Sequence, residues 1–523
     1  MLVTVVGVGL HLVFMTHAAA LWRDEVNSLQ FALMPSLSSV YASLQFDSVP
    51  LLSTLVLRGW VKAGWGATDY GLRVFGFVVG VGLLGMLWLT SWFLRRSPPL
   101  LSVALLGLNP LVIRYGDSIR PYGLGTFLVL LTLGLVWRTV QAATPWRISV
   151  ATLAAILSVQ CLYQNAFLLL AICLAGGLVA LRGGMPKAAA WIGFSGLAAA
   201  VSLLPYWPSI RSARSWSVVI QGPWDFRQLW SVLTKALDAG GVLSAWVWIG
   251  LFLGCSVAGI WVQRRGSAAG VGTTERCVAL FSVAVMVVAS TGFLLFLWTA
   301  RLPTQPWYHL PLMTVVAVCL DATVGTWTTS GARRIARLVL VLCVAGAAVL
   351  PASRGVYARQ TNVDTVASLL ERQAAKGDVI VVNPWYYGIS FQRYYRGDAA
   401  WMTLPPLEDL TIHRYDLLKT RMTLQNPIGP LLEAIAGALK SGHRVWLVGG
   451  LPSPRSGHLP PSLPPAPHAI WGWSNGPYVR AWALQAGYFL QMHALQREVV
   501  PVAVNGPINR YENLPVLVVR GWR

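Results

Sequence analysis

The sequence predicts a polytopic α-helical membrane protein followed by a soluble α/β domain. Two observations predict the membrane part. Of 523 residues, 55% are apolar and 11% charged, with a mean hydropathy of +0.58, whereas a soluble chain carries about a quarter charged residues. Apolar stretches near twenty residues long recur, each long enough to cross a bilayer as a helix. The third observation is a change of texture after Pro351, where apolar runs shorten to strand length.

Taken in order, the chain predicts about eleven spans, near 2–20, 72–94, 98–113, 122–141, 147–163, 165–182, 188–205, 242–262, 277–299, 308–328 and 335–351. Met1 to Ala20 lacks a basic start and a small-residue cleavage site, so it reads as a retained first helix. Leu51 to Val61 carries Arg58 and is short, so it reads as an interfacial helix. Alternate short turns hold Arg95 and Arg96, Arg138 and Arg147, Arg182 and Lys187, Arg264, Arg265 and Arg276, and Arg333, Arg334 and Arg337. Glu275 is the sole acid among them. Basic turns stay in the cytoplasm. The N-terminus is then inside, and loops 21–71, 114–121, 206–241 and 300–307 lie outside with everything after Pro351. The net charge of +21 reflects this distribution rather than nucleic-acid binding. All six cysteines lie in or beside apolar runs, which argues against disulfides or a zinc site.

The organisation expected is a membrane domain over 1–351, with a first outer loop over 21–71, and an outer α/β domain over 352–523. In the latter, Val379–Val382, Val445–Val448 and Val516–Val519 read as buried strands. Val363 to Lys376 and Leu431 to Lys440 read as helices between them. Leu451 to Pro467, rich in Pro, Ser and Gly, reads as an exposed loop. Gly449-Gly450 after a strand is no nucleotide loop by itself.

The outer loops hold the polar residues that invite chemistry. Asp24 and Glu25 follow the first span, and Asp47-Ser48-Val49-Pro50-Leu51 lies further along the same loop. The second loop runs from Arg114 through Asp117 and Arg120 to Tyr122. The late loop runs from Arg301 to Tyr308 and His309. Carboxylates beside arginines at a membrane surface can take a proton and grip a phosphate, and arginine does so bidentately. Pro121 would start a helix whose free N–H groups add to such a site. Each residue also has an ordinary reading. Asp24 and Glu25 suit the first turn of a helix, Asp47 a turn before Pro50, Asp117 or Ser118 a helix cap, Arg120 a lipid-headgroup contact, and His309 a helix end. Trp385-Tyr386-Tyr387 suits packing as well as a sugar platform.

Asp-Glu after the first helix, D-x-x-P-x-L in the same loop and R-P-Y opening a later helix resemble the GT-C class of membrane glycosyltransferases. The likeness is to glycosyltransferase family 39, the protein O-mannosyltransferase and aminoarabinose transferase group, and it covers about the first 350 residues. It implies a GT-C-like fold and a sugar donor on a polyprenyl phosphate, used on the extracytoplasmic face of the cell (inner) membrane. It implies inverting transfer to an acceptor hydroxyl on a glycan, lipid or protein. In that frame Asp24 is the catalytic base with Glu25 beside it, and Asp47, Arg114, Asp117, Arg120, Tyr122, Tyr308 and His309 are substrate-binding candidates. No cofactor is indicated and no metal site is expected, although the residues leave room for a divalent ion at the phosphate. The chain departs from the family where Val49 and Leu51 replace His and Pro, where Asp117-Ser118 replaces Gln-Glu, and where Tyr308-His309 replaces Arg-Tyr. The runner-up function is a transporter or flippase for a lipid-linked or anionic envelope precursor. A transporter of that kind carries internal repeats, and the sequence has none. A non-catalytic assembly protein is a third reading, under which Asp24, Glu25 and Arg120 have no joint task.

Overall fold

The computed structural model describes all residues except 48, 223–224, 238–241, 266–271, 302, 328–330 and 456. Ser48 and Leu302, both within the loops singled out above, thus lie outside the described residues. The chain forms two compact units that do not follow chain order. The first comprises Met1–His17, Ser48–Trp207 and Pro223–Tyr357, and the second Ala18–Asp47, Pro208–Gly222 and Ala358–Arg523.

Among the described residues, eight helices are long and apolar enough to span a membrane: Asp69–Arg95, Pro121–Gln141, Asn165–Arg182, Pro186–Ser217, Ala245–Arg264, Thr273–Thr299, Pro306–Trp327 and Gly331–Val356. Leu2–His17 is apolar but shorter, and Pro145–Cys161 has 17 residues. The chain is a multi-pass membrane protein. One expected span fails. Residues 98–113 form two seven-residue helices, Leu100–Leu106 and Pro110–Gly116. Asn109 causes the break, because its Oδ1 accepts from the N–H groups of Leu111 and Val112 at 2.8 and 3.3 Å. Pro110 then starts the second helix without needing a donor. The expected helix after Pro50 runs over Leu51–Trp60.

In the first unit, Asp69–Arg95 packs along Pro121–Gln141, which packs along Pro145–Cys161. Thr273–Ala300 lies between Asn165–Arg182 and Leu310–Trp327. The shared core runs through Leu87, Leu133, Trp137, Phe281 and Leu320. All six cysteines are free.

The second unit is built on a five-stranded sheet of order β2-β1-β3-β5-β4, with β1 Val379–Val382, β2 Ala400–Thr403, β3 Val445–Val448, β4 Ala494–Val500 and β5 Val516–Trp522. β1 runs parallel to β2 and β3, with Val379 opposite Val445. β5 is antiparallel to β3 and β4. One face buries Val381, Leu447 and Val519 under Leu431, Ile435 and Trp482. The other buries Ile380, Val382, Trp446 and Val518 under Val366, Leu370 and Phe391. Strands covered on both faces lose the polar alternation and read as unbroken apolar runs. Gly449 and Gly450 take φ of +85° and +73°. A Cβ on Gly449 would meet the Asn383 carbonyl oxygen at 1.8 Å, so this pair serves a close backbone approach.

Residues 18–47 belong to this second unit through named bonds. Gln360 N–H donates to the Ala18 carbonyl at 3.0 Å, and Leu21 N–H to the Tyr394 hydroxyl at 2.7 Å. The helix Arg23–Leu33 packs on Tyr387–Tyr394.

Candidate active site

The helix Arg23–Leu33 places Asp24 and Glu25 in its first turn, where carboxylates favour the exposed N–H groups. Their environments differ. Glu25 is fully buried and accepts from the Trp22 N–H at 3.4 Å, as the third residue of a helix does when it caps its own start. Asp24 keeps 19% of its side chain exposed, and its Oδ1 lies 3.3 Å from His413 Nε2 and 3.6 Å from Arg23 Nε. A carboxylate only accepts, so Nε2 carries the proton in that bond.

Asn27, one turn beyond Asp24, ties the cluster together. Its Oδ1 accepts from the His413 backbone N–H at 2.9 Å, and its Nδ2 donates to Asp47 Oδ2 at 3.1 Å. The His413 ring meets Trp385 edge-on at 6.4 Å and stacks on Tyr415 at 6.1 Å. Asp24, Asp47, Asn27 and His413 therefore form one polar group within the second unit. Trp385 is buried and serves as a wall for His413.

Arg23 anchors the entry of this helix. Its Nη1 donates to the Tyr511 carbonyl at 2.9 Å and to Glu512 Oε2 at 3.3 Å. Its guanidinium lies 5.0 Å from the Trp22 ring, 4.7 Å from Tyr386 and 5.6 Å from Tyr387. Burial opposes the Arg23 charge, but Asp24 and Glu512 outweigh it and hold its pKa above the ordinary value. Glu512 is fully buried. Burial pushes its carboxyl up, while Arg23 and the Ser390 hydroxyl, 2.7 Å from Oε1, pull the other way.

The first unit holds the remaining candidates. Asp117 Oδ1 lies 2.6 Å from His11 Nδ1, and both side chains are buried. The pair sits on a bare strip of the helix Asp69–Arg95. A Cβ at Gly76 would lie 1.7 Å from the Asp117 carbonyl oxygen, and one at Gly80 would lie 1.8 Å from Asp117 Oδ1. Arg120 caps the helix Pro121–Gln141, its N–H donates to Ser118 Oγ at 3.3 Å, and its guanidinium lies 5.9 Å from the Tyr122 ring. Arg114 donates to the Gly355 carbonyl. The second and late loops meet here, with Tyr115 stacked on Trp307 at 4.5 Å and Tyr122 at 5.9 Å from Tyr308. His309 is buried at the end of the turn Pro306–His309, its ring 5.3 Å from Phe293. Among the described residues, no group of three or more His, Cys, Asp and Glu converges as metal ligands would.

Sequence reasoning missed His413, Asn27, Glu512 and His11. Asn27 had a signal, since it stands three residues after Asp24 and therefore on the same helix face. The others are joined to their partners across long stretches of chain and carried none.

No family model matches the chain, and no curated protein does. Solved structures do. ArnT from Cupriavidus metallidurans bound to undecaprenyl phosphate is similar over 99% of this chain and 97% of its own, with a TM-score of 0.50 and 12% identity. The chain has the GT-C fold. The oligosaccharyltransferase of Archaeoglobus fulgidus, in complex with Zn and sulfate, aligns over 85% of this chain and 67% of its own, with a TM-score of 0.49 and 10% identity. The GT-C likeness of the first-loop and second-loop motifs and the fold therefore agree.

Proposed function

We propose that this protein is an integral membrane glycosyltransferase that moves a sugar from a polyprenyl-phosphate donor to an acceptor hydroxyl on the extracytoplasmic face, with inversion. The observation that carries the reading is Asp24, a part-exposed carboxylate fixed by His413 in a chain of GT-C fold. The undecaprenyl phosphate of the ArnT structure supports a polyprenyl-phosphate donor. The distribution of arginines supports a cytoplasmic N-terminus and an outer C-terminal domain.

The chemistry follows from the donor. A sugar phosphate leaves as a stable anion and needs little acid help. The attacking hydroxyl needs a base, and Asp24 supplies one. The anomeric carbon gains positive charge on the way, as in glycoside hydrolysis, and a nearby carboxylate favours it. Arg120 binds donor phosphate in this reading.

The test is transfer from a synthetic polyprenyl-phosphate sugar in nanodiscs. Asp24→Asn is nearly isosteric and should keep donor affinity within a few fold. It cannot act as base, so turnover should fall by about 10²–10⁴. Near-parental turnover would remove Asp24 from the base role. Transport of the donor across the bilayer without transfer would favour a flippase instead.

A further inference from the structure

The first unit contains a cavity lined by none of the candidate site residues. It has a volume of about 420 Å³ and lies among Gly250, Gly254, Ala258, Val324, Trp327 and Leu340, with Arg333 and Arg337 also on its wall. That is within the roughly 300–1,000 Å³ of small-ligand pockets. A Cβ added at Gly250 or Gly254 would meet nothing within 4 Å, so the wall stands clear of its neighbours there. The bounding helices face outward with Leu253, Val257, Ile335 and Leu342 exposed, which places the cavity within reach of bilayer lipid.

The polar residues beside it include Trp327, Arg333 and Arg337. Trp327 Nε1–H and Arg337 Nε–H are buried and have no partner among the described residues. Arg337 is nine-tenths buried, and its Nη2 is committed to Asp321 Oδ1 at 2.7 Å, which leaves Nε–H over. Arg333 bonds the Trp327 carbonyl at 3.5 Å and has no carboxylate within salt-bridge distance among the described residues. Arg264 and Arg334 are exposed nearby in sequence. The cavity lining is almost wholly apolar, and exposed Arg333 is the charge at its wall that a headgroup can reach.

We infer that this cavity binds one anionic phospholipid of the bilayer, its acyl chain along Gly250, Gly254 and Leu340 and its phosphate against Trp327, Arg333 and Arg337. An apolar groove accounts for the chain, and Arg333, with no carboxylate in reach among the described residues, accounts for the charge. Basic pockets between transmembrane helices select anionic headgroups on the same grounds. Because its residues are separate from Asp24 and Arg120, the inference stands without the proposed reaction.

The test is native mass spectrometry of the full chain after detergent exchange, titrated with palmitoyl-oleoyl phosphatidylglycerol or the matching phosphatidylcholine. One tightly retained phosphatidylglycerol is expected, with weaker phosphatidylcholine. Gly254→Leu fills the groove and should cut phosphatidylglycerol retention by about tenfold or more. Arg333→Gln leaves the groove open and should reduce the preference for phosphatidylglycerol by about ten- to a hundredfold, the size of a lost charged hydrogen bond. Equal retention of both lipids, or unchanged retention in both variants, would overturn the inference. So would displacement of phosphatidylglycerol by undecaprenyl phosphate, which would assign the cavity to the donor. Inorganic phosphate in place of lipid should not bind, and binding that matched the lipid would show a headgroup site only.

Discussion

His413 Nε2 lies 3.3 Å from Asp24 Oδ1, and the backbone N–H of the same histidine is held by Asn27 at 2.9 Å. A residue of the C-terminal region thus orients a carboxylate in the first turn of the helix Arg23–Leu33. The ring is fixed from behind by Trp385 and Tyr415. In the proposed reaction His413 acts through Asp24 and is a positioning residue.

His413→Ala should therefore lower kcat while leaving donor KM within a few fold. Losing a hydrogen bond to a charged group is worth about 1.5–3 kcal/mol, which is about ten- to a hundredfold in rate. His413→Gln keeps a donor and should recover part of the loss. A fall confined to KM, or equal losses in both variants, would count against positioning.

Glu25 offers the contrast. It is buried and bonds the Trp22 N–H, so its work is to fix the chain where the helix begins. Glu25→Gln keeps an acceptor and should transfer sugar at close to the parental rate. Glu25→Ala should cost about 0.5–2 kcal/mol of stability, as other lost caps do. Parallel turnover and thermal-unfolding measurements check both. A larger turnover loss in Glu25→Gln than in Asp24→Asn would exchange the two roles.

The legible parts of the fold were those fixed by local pattern. β1 and β3 are buried on both faces and read as Val-Ile-Val-Val and Val-Trp-Leu-Val. β4 escaped because Leu495 to Glu498 are exposed, at the edge of the sheet. β2 escaped because Ala-Trp-Met-Thr lies at the other edge of the sheet with an open first position and lacks an unbroken buried apolar run. The broken span 98–113 carried its own warning in Asn109-Pro110, a pair that marks turns, which a hydropathy window averages away. At the site, Asp24 and Glu25 were legible as a pair but their division of labour was not. Their unequal burial was hidden too, because burial of Glu25 depends on packing that no local pattern records. His413 stands far along the chain from Asp24, and nothing in its neighbours announces the partner.

Arg120 tests the phosphate role. Its N–H is used by Ser118, and its guanidinium lies beside Tyr122. Arg120→Lys keeps the charge but loses the planar fork. Affinity for a polyprenyl-phosphate sugar should weaken by about ten- to a hundredfold, with little change in thermal stability. Equilibrium binding of the purified variant decides it. Unchanged affinity would remove Arg120 from the phosphate role.

Asp378 provides a stability prediction with a sign in pH. It is 2% exposed and accepts from Ala375 N–H at 2.9 Å, Arg444 N–H at 2.9 Å, Arg444 Nε at 3.0 Å and Trp446 Nε1 at 2.9 Å. Burial pushes its carboxyl up, but the donors from Trp446, Arg444 and Ala375 outweigh this and hold its pKa below the ordinary value. A folded-state pKa below the unfolded one stabilises the fold above the unfolded value, about 3.9 for Asp. The gain is lost as pH falls through the folded value. Asp378→Asn turns an amide N–H₂ toward groups that are all donors, so at neutral pH it should cost about 1.5–3 kcal/mol. Hydrogen exchange of the β1 and β3 amides should then be faster in the variant at pH 7. The gap between parent and variant, compared at equal pH, should narrow as pH falls below about 4. Equal protection at pH 7, or a gap that stays constant into acid, would show that the ionised carboxylate does not brace the sheet.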